Sequence, residues 1–204
     1  SPWAQQLAEM DHEDDDVGTS WNARARASKP DWMSPRMDWR AIQSDLPKAA
    51  IISSDIGNNC AIGNAYPSFE EGRKYLAPGL FGPCGYGLPS IIGAKIGKPD
   101  VPVVGFSGDG AFGIAVTELT AIGRPEWPAI TMVVFRNYQW GAEKRNSTLW
   151  YDDNFVGTEL DNNVSYAGIA RACGLQGVQA NTMDELRDML HKSIDDQMNH
   201  GKTT

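Results

Sequence analysis

The chain has 204 residues, of which 41% are hydrophobic, and a formal net charge of −8 at pH 7. This length fits one domain with an additional segment, and the negative charge argues against a general nucleic-acid or anionic-membrane binder. Three widely spaced cysteines without a C-x-x-C pair argue against a disulfide framework or zinc site and favour a reducing cytoplasm, and no apolar run approaches the ~20 residues that span a bilayer.

The first part of the chain has the composition of a connecting segment. Residues 1–33 show little periodicity, and they contain an acidic run at residues 13–16 and three of the seven tryptophans. Acidic runs are usually solvated, whereas tryptophans indicate packing against another surface. We interpret residues 1–33 as a linker or wrapping arm from a preceding domain.

The remainder, residues 34–204, predicts one domain in which strands alternate with helices. In chain order we expect a helix at 34–46, a strand at 49–53, an irregular stretch with a helical piece at 60–75, a buried helix at 88–96, a strand at 101–106, a helix at 112–122, a strand at 130–135, a long polar loop, a helix at 164–173, a strand at 175–180 and a helix after a capping box at 182–185. This alternation is typical of a doubly wound parallel α/β sheet. It calls for one more strand after Thr204, so we expect the last strand to be truncated.

A carboxylate and an amide follow two strands that this topology makes neighbours. Asp109, within Gly108-Asp109-Gly110, follows one strand, and Asn137 follows the next. In an open α/β sheet, ligands bind beyond the carboxyl ends of the strands. A carboxylate, an amide oxygen and a backbone carbonyl are ligands suited to Mg²⁺ or Ca²⁺. The sequence therefore predicts a metal site at this edge of the sheet.

The same turn predicts a site for phosphate groups. Gly108 and Gly110 allow the backbone to approach a bulky anion closely. The N–H groups of Gly110, Ala111 and Phe112 open the expected helix, where unpaired donors favour phosphate. A metal ion would offset the repulsion between Asp109 and a diphosphate. A turn without any ligand is the alternative interpretation of this pattern.

Other ligand and catalytic motifs are absent or incomplete. The sequence has no G-x-x-x-x-G-K-[ST] motif, and no G-x-G-x-x-G follows a strand in the required context. The run from Gly105 to Asp109 lacks the final glycine of the G-x-S-x-G nucleophile elbow. Because the three histidines lie in polar end regions, a serine hydrolase is disfavoured.

In combination, the motifs resemble those of thiamine-diphosphate-dependent enzymes of the acetolactate synthase and pyruvate decarboxylase branch. The matching motifs are Gly108-Asp109-Gly110 with Asn137, Ser54-Asp55-Ile56-Gly57, the run from Gly82 to Pro89, and Ile92-Gly93-Ala94-Lys95. They occur in the order of the family across roughly residues 35–200. The resemblance implies the domain that binds the diphosphate of the cofactor.

The stretch from Phe135 to Asn146 is similar to acyltransferases of this branch that act on sulfoacetaldehyde, and residues 148–160 strengthen that similarity. In related decarboxylases and synthases the asparagine is commonly followed by another asparagine and a glycine, so Tyr138 and Gln139 are a departure. The resemblance implies conversion of sulfoacetaldehyde and phosphate to acetyl phosphate and sulfite. A 2-oxo acid carboligase or decarboxylase, such as acetolactate synthase, is one alternative, and a non-catalytic diphosphate-binding or oligomerisation module is another.

The resemblance also implies roles for individual residues. Asp109, Asn137 and the backbone carbonyl of Gln139 would bind Mg²⁺. The residues placed at the thiamine diphosphate are Gly57, Asn58, Gly82, Cys84, Gly85, Gly108, Gly110, Ala111 and Phe112. Among them, Gly82 would face the aminopyrimidine through its carbonyl, and Cys84 takes the place of the bulkier residue that holds the cofactor in its V shape.

No catalytic residue is assigned within this chain. In the family, the glutamate that activates the cofactor lies in a separate, earlier domain, usually of the partner subunit. The resemblance therefore implies a homodimer or homotetramer with shared sites, and predicts that the 204-residue chain alone is inactive. Arg136, Lys144 and Arg145 follow the metal-binding strand and are the candidates for holding the sulfonate and phosphate anions.

Overall fold

The structure, a computed structural model, describes Trp39, residues 42–65, Phe69 and residues 74–204. The predicted linker at 1–33 and the start of the first predicted helix lie outside these residues. Residues 42–45 are helical, as expected. None of the helices within the described ranges is long and apolar enough to cross a membrane.

Four strands of the described chain form one sheet in which all neighbours are parallel. They are β1 (Ile51–Ser54), β2 (Tyr75–Leu76), β3 (Val103–Gly108) and β4 (Thr131–Phe135), in the order β2-β1-β3-β4. Residues of β3 are buried on both faces, as an interior strand of a parallel sheet requires. The register pairs Ser54 with Phe106 and Gly108 with Phe135. The carboxyl ends of β1, β3 and β4 therefore lie side by side.

Helices cover both faces of this sheet. They are α1 (Asn58–Ala65), α2 (Gly87–Gly97), α3 (Asp109–Ala115), α4 (Leu119–Ile122), α5 (Gly141–Trp150), α6 (Tyr166–Ala172) and α7 (Met183–Asn199), with a 3₁₀ turn at Val116–Glu118 between α3 and α4. Val103 packs in one buried cluster with Leu88 and Phe112, whereas Val104 packs in a second cluster with Leu190. Because successive residues of a strand point to opposite faces, the two clusters lie on opposite sides of the sheet. The predicted doubly wound α/β fold is confirmed.

The segment at residues 175–180 is not a strand, contrary to the prediction. The N–H of Leu175 bonds to the carbonyl of Ala170 at 3.0 Å, and the N–H of Gln176 bonds to the carbonyl of Thr203 at 2.9 Å. A strand needs a continuing ladder of such bonds, and within the described ranges this segment has no such ladder. Its apolar pattern was therefore not sufficient to predict a strand.

Two helices also differ from the prediction. The helix after β3 begins at Asp109 rather than near Phe112, so Asp109 itself lies in the first helical turn. Helix α5 occupies part of the stretch that was predicted as a polar loop. None of its residues is buried, and a helix without a buried apolar face leaves no periodic pattern to detect.

Replacing Gly93 by alanine is expected to stabilise the protein. Gly93 lies within α2, it is exposed, and a Cβ built on it meets no atom within 4 Å. Alanine has the higher helix propensity and restricts the unfolded chain, which together contribute up to about 1 kcal/mol. Denaturant unfolding of Gly93→Ala beside the wild type measures this change, and a lower unfolding free energy would contradict it.

Candidate functional site

Asp109 provides a buried carboxylate at the end of β3. Its residue is 2% exposed, its Oδ1 accepts the N–H of Gly110 at 3.1 Å and its Oδ2 accepts the N–H of Tyr138 at 2.7 Å. Burial raises the pKa of Asp109, and these N–H donors oppose the rise. Each oxygen keeps a second lone pair. The carboxylate is thus fixed by the backbone, and a cation beside it would favour its charged form.

Asn137 lies next to Asp109, as the predicted strand order requires. Its Oδ1 accepts the N–H of Gln139 at 3.2 Å. A second amide, Asn58, approaches from the end of β1, since a Cβ placed on Gly141 would lie 2.9 Å from Nδ2 of Asn137 and 3.0 Å from Nδ2 of Asn58. The amides that follow β1 and β4 therefore meet at the start of α5, and Asp109 follows β3, the strand between them.

Tyr138 turns the chain sharply between Asn137 and Gln139. Its φ of 61° lies in the left-handed region, which costs a non-glycine residue roughly 1–2 kcal/mol. The turn directs the Tyr138 N–H at Asp109. The guanidinium carbon of Arg136 lies 4.4 Å from the centre of the Tyr138 ring, a cation–π contact that supports this conformation.

Residues 158–160 hold the loop after Asn137 in place. An antiparallel bridge pairs Gln139 with Glu159. Its two hydrogen bonds run from the N–H of Trp140 to the carbonyl of Thr158 and from the N–H of Leu160 to the carbonyl of Tyr138, both at 2.8 Å. In such a pair the N–H and carbonyl of the central residue point away from the partner strand. The carbonyl of Gln139 therefore faces the side on which Asn137 lies.

Glycines leave the backbone open along this edge of the sheet. At Gly57, with φ 109°, and at Gly108, a Cβ would meet no protein atom within 4 Å. At Gly110 a Cβ would lie 2.8 Å from the ring of Trp140, so the indole covers the first turn of α3. A ligand could approach the backbone at Gly57 and Gly108, whereas the space above Gly110 is filled by Trp140.

The loop before α2 borders the same region. Gly82 and Gly85 have φ values of 58° and 83°, a conformation that glycine adopts most readily. Cys84 between them has an exposed side chain. The pKa of its thiol is raised, first by loss of solvent and then by the carboxylates of Asp55 and Glu143. The thiol is therefore held neutral, as a small apolar group.

A cleft of about 1060 Å³ brings most of the predicted residues together. Those that line it are Gly57, Asn58, Gly82, Cys84, Gly108, Asp109, Gly110, Ala111, Phe112, Arg136, Asn137 and Gln139. Gly85 lies on the adjoining loop. Lys144 lies outside the lining and pairs with Glu159 at 2.5 Å, and Arg145 is an exposed residue of α5.

Sequence reasoning missed two aromatic residues of the site. The hydroxyl of Tyr166 donates to the backbone carbonyl of Asp109 at 3.0 Å, and its ring meets that of Phe112 edge-on at a centroid distance of 5.4 Å. Trp140 covers Gly110. No spacing rule connects Tyr166 with Asp109, whereas the short distance in sequence from Asn137 to Trp140 was an available signal.

Comparisons with known proteins show which family the chain resembles. Residues 55–203 match the family model described as thiamine pyrophosphate enzyme, C-terminal TPP binding domain. The chain is 82% identical over 197 residues to a sulfoacetaldehyde acetyltransferase of Roseovarius nubinhibens, covering 97% of this chain and 33% of that protein. It is 79% identical over 204 residues to a sulfoacetaldehyde acetyltransferase of Rhodobacter capsulatus, covering 100% and 34% respectively. The chain spans about one third of the length of these curated relatives.

A solved structure shares the fold at low sequence identity. It is the thiamine diphosphate-dependent 4-hydroxybenzoylformate decarboxylase of Rhodococcus jostii RHA1, with a TM-score of 0.74 and 20% identity. The likeness covers 82% of this chain and 31% of the decarboxylase. At this identity it shows the fold alone.

Proposed function

The chain belongs to the thiamine pyrophosphate enzyme family through its C-terminal cofactor-binding domain, and on this premise we propose that it forms part of an acyltransferase that converts sulfoacetaldehyde and phosphate to acetyl phosphate and sulfite. The identity of 82% to a relative of that name supports the choice of substrate. One geometric observation carries the cofactor role: the buried Asp109 carboxylate lies beside Asn137 at two adjacent strand ends.

Asp109, Asn137 and the carbonyl of Gln139 would hold Mg²⁺ on the diphosphate of the cofactor. All three offer oxygen atoms, which are the ligands Mg²⁺ prefers. Separate hydrogen bonds hold them: Asp109 through Gly110 and Tyr138, and Gln139 through Asn137 and the bridge to Glu159. The open backbone at Gly57 and Gly108 leaves room for the diphosphate. The donor set therefore fits a divalent cation bound to an anion.

The remaining cleft residues would hold and orient the organic part of the cofactor. When bound, thiamine diphosphate would supply a nucleophilic carbon for reaction at the substrate carbonyl. Cys84 would press against the cofactor as a neutral apolar group, and the carbonyl of Gly82 would accept a hydrogen bond from the aminopyrimidine. Ala111 and Phe112, both buried at the start of α3, would exclude water from the diphosphate end.

Residues 34–204 would form the diphosphate-binding domain of a longer protein. We propose that the activating glutamate comes from an earlier domain of a partner subunit, so that the enzyme is a homodimer or homotetramer with shared sites. We also propose that it is cytoplasmic. The isolated chain would then be inactive even if it binds the cofactor.

Arg136 is the candidate cation that lines the cleft. Its guanidinium donates to the carbonyl of Asn162 at 2.7 Å and lies over the Tyr138 ring. A guanidinium has five N–H donors, so Arg136 can bind a sulfonate or phosphate in addition. Lys144 is already paired with Glu159, which makes it a weaker candidate.

Replacing Arg136 by glutamine in the full-length enzyme is expected to raise the KM for phosphate or sulfoacetaldehyde by about 10- to 100-fold. A hydrogen bond to a charged group contributes about 1.5–3 kcal/mol, and each 1.4 kcal/mol is a factor of ten. Steady-state kinetics measure this effect. Arg124→Gln, which removes an exposed cation paired with Glu126, is the control, and equal KM values for the two variants would contradict the role.

The proposed reaction is tested by assaying the full-length protein with Mg²⁺, thiamine diphosphate and phosphate. We expect sulfite release from sulfoacetaldehyde, together with acetyl phosphate, and dependence on all three additions. Consumption of pyruvate without any sulfite release would contradict the proposed substrate and favour a 2-oxo acid carboligase or decarboxylase. Cofactor binding without turnover of either substrate would favour a non-catalytic module.

A further inference from the structure

A second buried carboxylate, Asp55, lies at the end of β1. Its residue is 0% exposed. Its Oδ1 accepts the N–H of Ile56 at 2.9 Å and that of Gly85 at 3.0 Å, and its Oδ2 accepts the N–H of Gly87 at 2.8 Å. One of the other two donors, Gly85, lies in the loop that precedes α2, 30 residues from Asp55 in sequence, and the second, Gly87, is the first residue of α2. Asp55 therefore ties this loop to the end of the sheet.

The apolar side chains at the tip of this loop do not anchor it within the described structure. Leu80 and Phe81 at its tip are 111% and 93% exposed. Backbone hydrogen bonds to a carboxylate are stronger than bonds between neutral groups. Asp55 thus anchors the loop and the start of α2 through hydrogen bonds from backbone N–H groups to its carboxylate.

The glycine at the start of α2 permits this contact. A Cβ on Gly87 would lie 3.1 Å from Oδ2 and 3.2 Å from Cβ of Asp55. Gly85, with φ 83°, turns its N–H toward the same carboxylate. The backbone at Gly85 and Gly87 therefore lies against Asp55, and the same loop carries Gly82 and Cys84, which line the cleft.

We propose that Asp55 is a positioning residue that sets the loop carrying Gly82 and Cys84 against the organic half of the cofactor. The diphosphate half depends on Asp109 and Asn137 and not on this loop. The inference rests on the proposed function, because the roles of Gly82 and Cys84 belong to it. It predicts that a substitution at Asp55 weakens the binding of the organic half of the cofactor and leaves the binding of the diphosphate half nearly unchanged.

The test compares magnesium pyrophosphate with thiamine diphosphate as ligands of the full-length protein. Asparagine at position 55 supplies one acceptor oxygen instead of two, so the bonds to Ile56 and Gly85 can be kept while Gly87 loses its acceptor. For Asp55→Asn we expect a pyrophosphate affinity within about threefold of the wild type. The thiamine diphosphate affinity should fall by at least about tenfold, with a lower kcat at saturating cofactor.

Two further variants separate positioning from a general loss of stability. Gly87→Ala keeps the carboxylate of Asp55 but displaces it. This variant should likewise lose affinity for thiamine diphosphate while its affinity for pyrophosphate stays close to that of the wild type. Gln197→Met removes another buried polar group, which exchanges two 2.8 Å hydrogen bonds with the backbone of Val103 and does not line the cleft. This control should lose stability without changing either affinity.

The outcomes distinguish the positioning role from the proposed function. Equal loss of both ligands in Asp55→Asn and Gly87→Ala, or unchanged thiamine diphosphate affinity and kcat in both, would overturn the role of Asp55. If the wild-type protein binds neither ligand, the proposed cofactor function itself fails. If Gln197→Met also loses affinity for thiamine diphosphate but not for pyrophosphate, the effect is one of stability and the positioning role is wrong.

Discussion

Replacing Asp109 by asparagine in the full-length protein is expected to abolish magnesium-dependent binding of thiamine diphosphate. The substitution keeps the size of the side chain but removes the negative charge that attracts the cation. An opposite charge a few ångströms away in a partly buried site contributes about 4 kcal/mol, which corresponds to roughly a thousandfold in affinity. Calorimetric titration with Mg²⁺, and again with a chelator, measures the loss.

A matched control removes the same charge elsewhere. Asp188 is an exposed residue of α7, and Asp188→Asn should bind the cofactor as the wild type does. Unchanged magnesium-dependent binding in Asp109→Asn would show that the metal is held by other residues. A loss in both variants would point to net charge rather than to a ligand.

Replacing Gly110 by alanine is expected to lower cofactor affinity by about 10- to 100-fold. The new Cβ would lie 2.8 Å from the ring of Trp140, and because the indole is rigid, either it or the first turn of α3 must move. Overpacking of this kind costs about 1–3 kcal/mol. If the displaced groups lower the binding free energy by a similar amount, the affinity for the cofactor falls by about 10- to 100-fold. Cofactor titration and thermal unfolding of the same samples measure both effects.

Gly105 provides the comparison that separates site geometry from stability. A Cβ at Gly105 would lie 2.6 Å from Sδ of Met132 and 2.7 Å from Cδ1 of Ile91, so Gly105→Ala also overpacks the protein, but in the middle of β3. It should lose stability and retain its cofactor affinity. If both variants lose affinity in proportion to their stability, Gly110 has no particular role at the site.

The site could be predicted as far as local patterns and sheet topology determine it. Asp109 and Asn137 each follow an apolar run, and a crossover helix makes those strands neighbours, so their proximity follows from the parallel fold. The structure confirms that β3 and β4 pair directly. Asp109 directly follows β3, which is covered on both faces, and is itself buried at the start of α3.

Contacts made by the backbone could not be predicted. The bridge between Gln139 and Glu159 uses main-chain groups that every residue carries, so neither segment has a distinctive composition. The anchoring of Gly85 and Gly87 by Asp55 is of the same kind. Asp55 was recognised within a motif, but its partners became evident only from the folded structure.

Hydrophobic periodicity gave two wrong predictions of secondary structure, at the segment 175–180 and at helix α5. An apolar pattern predicted a strand where the described residues form no ladder, because a strand is defined by its neighbour and not by its own sequence. Helix α5 was missed because none of its residues is buried. Hydrophobic periodicity indicates which residues are buried. It does not predict secondary structure where a helix has no buried face or an apolar segment has no partner strand.

The most direct test of the metal and diphosphate site is a crystal structure of the full-length protein with thiamine diphosphate and Mn²⁺ in place of Mg²⁺. The anomalous scattering of Mn²⁺ identifies the metal independently of the protein atoms. We expect a single peak at about 2.1 Å from a carboxylate oxygen of Asp109, the amide oxygen of Asn137 and the carbonyl oxygen of Gln139, in contact with the diphosphate. A peak bound to other residues, or a diphosphate held without metal at this edge of the sheet, would contradict the site.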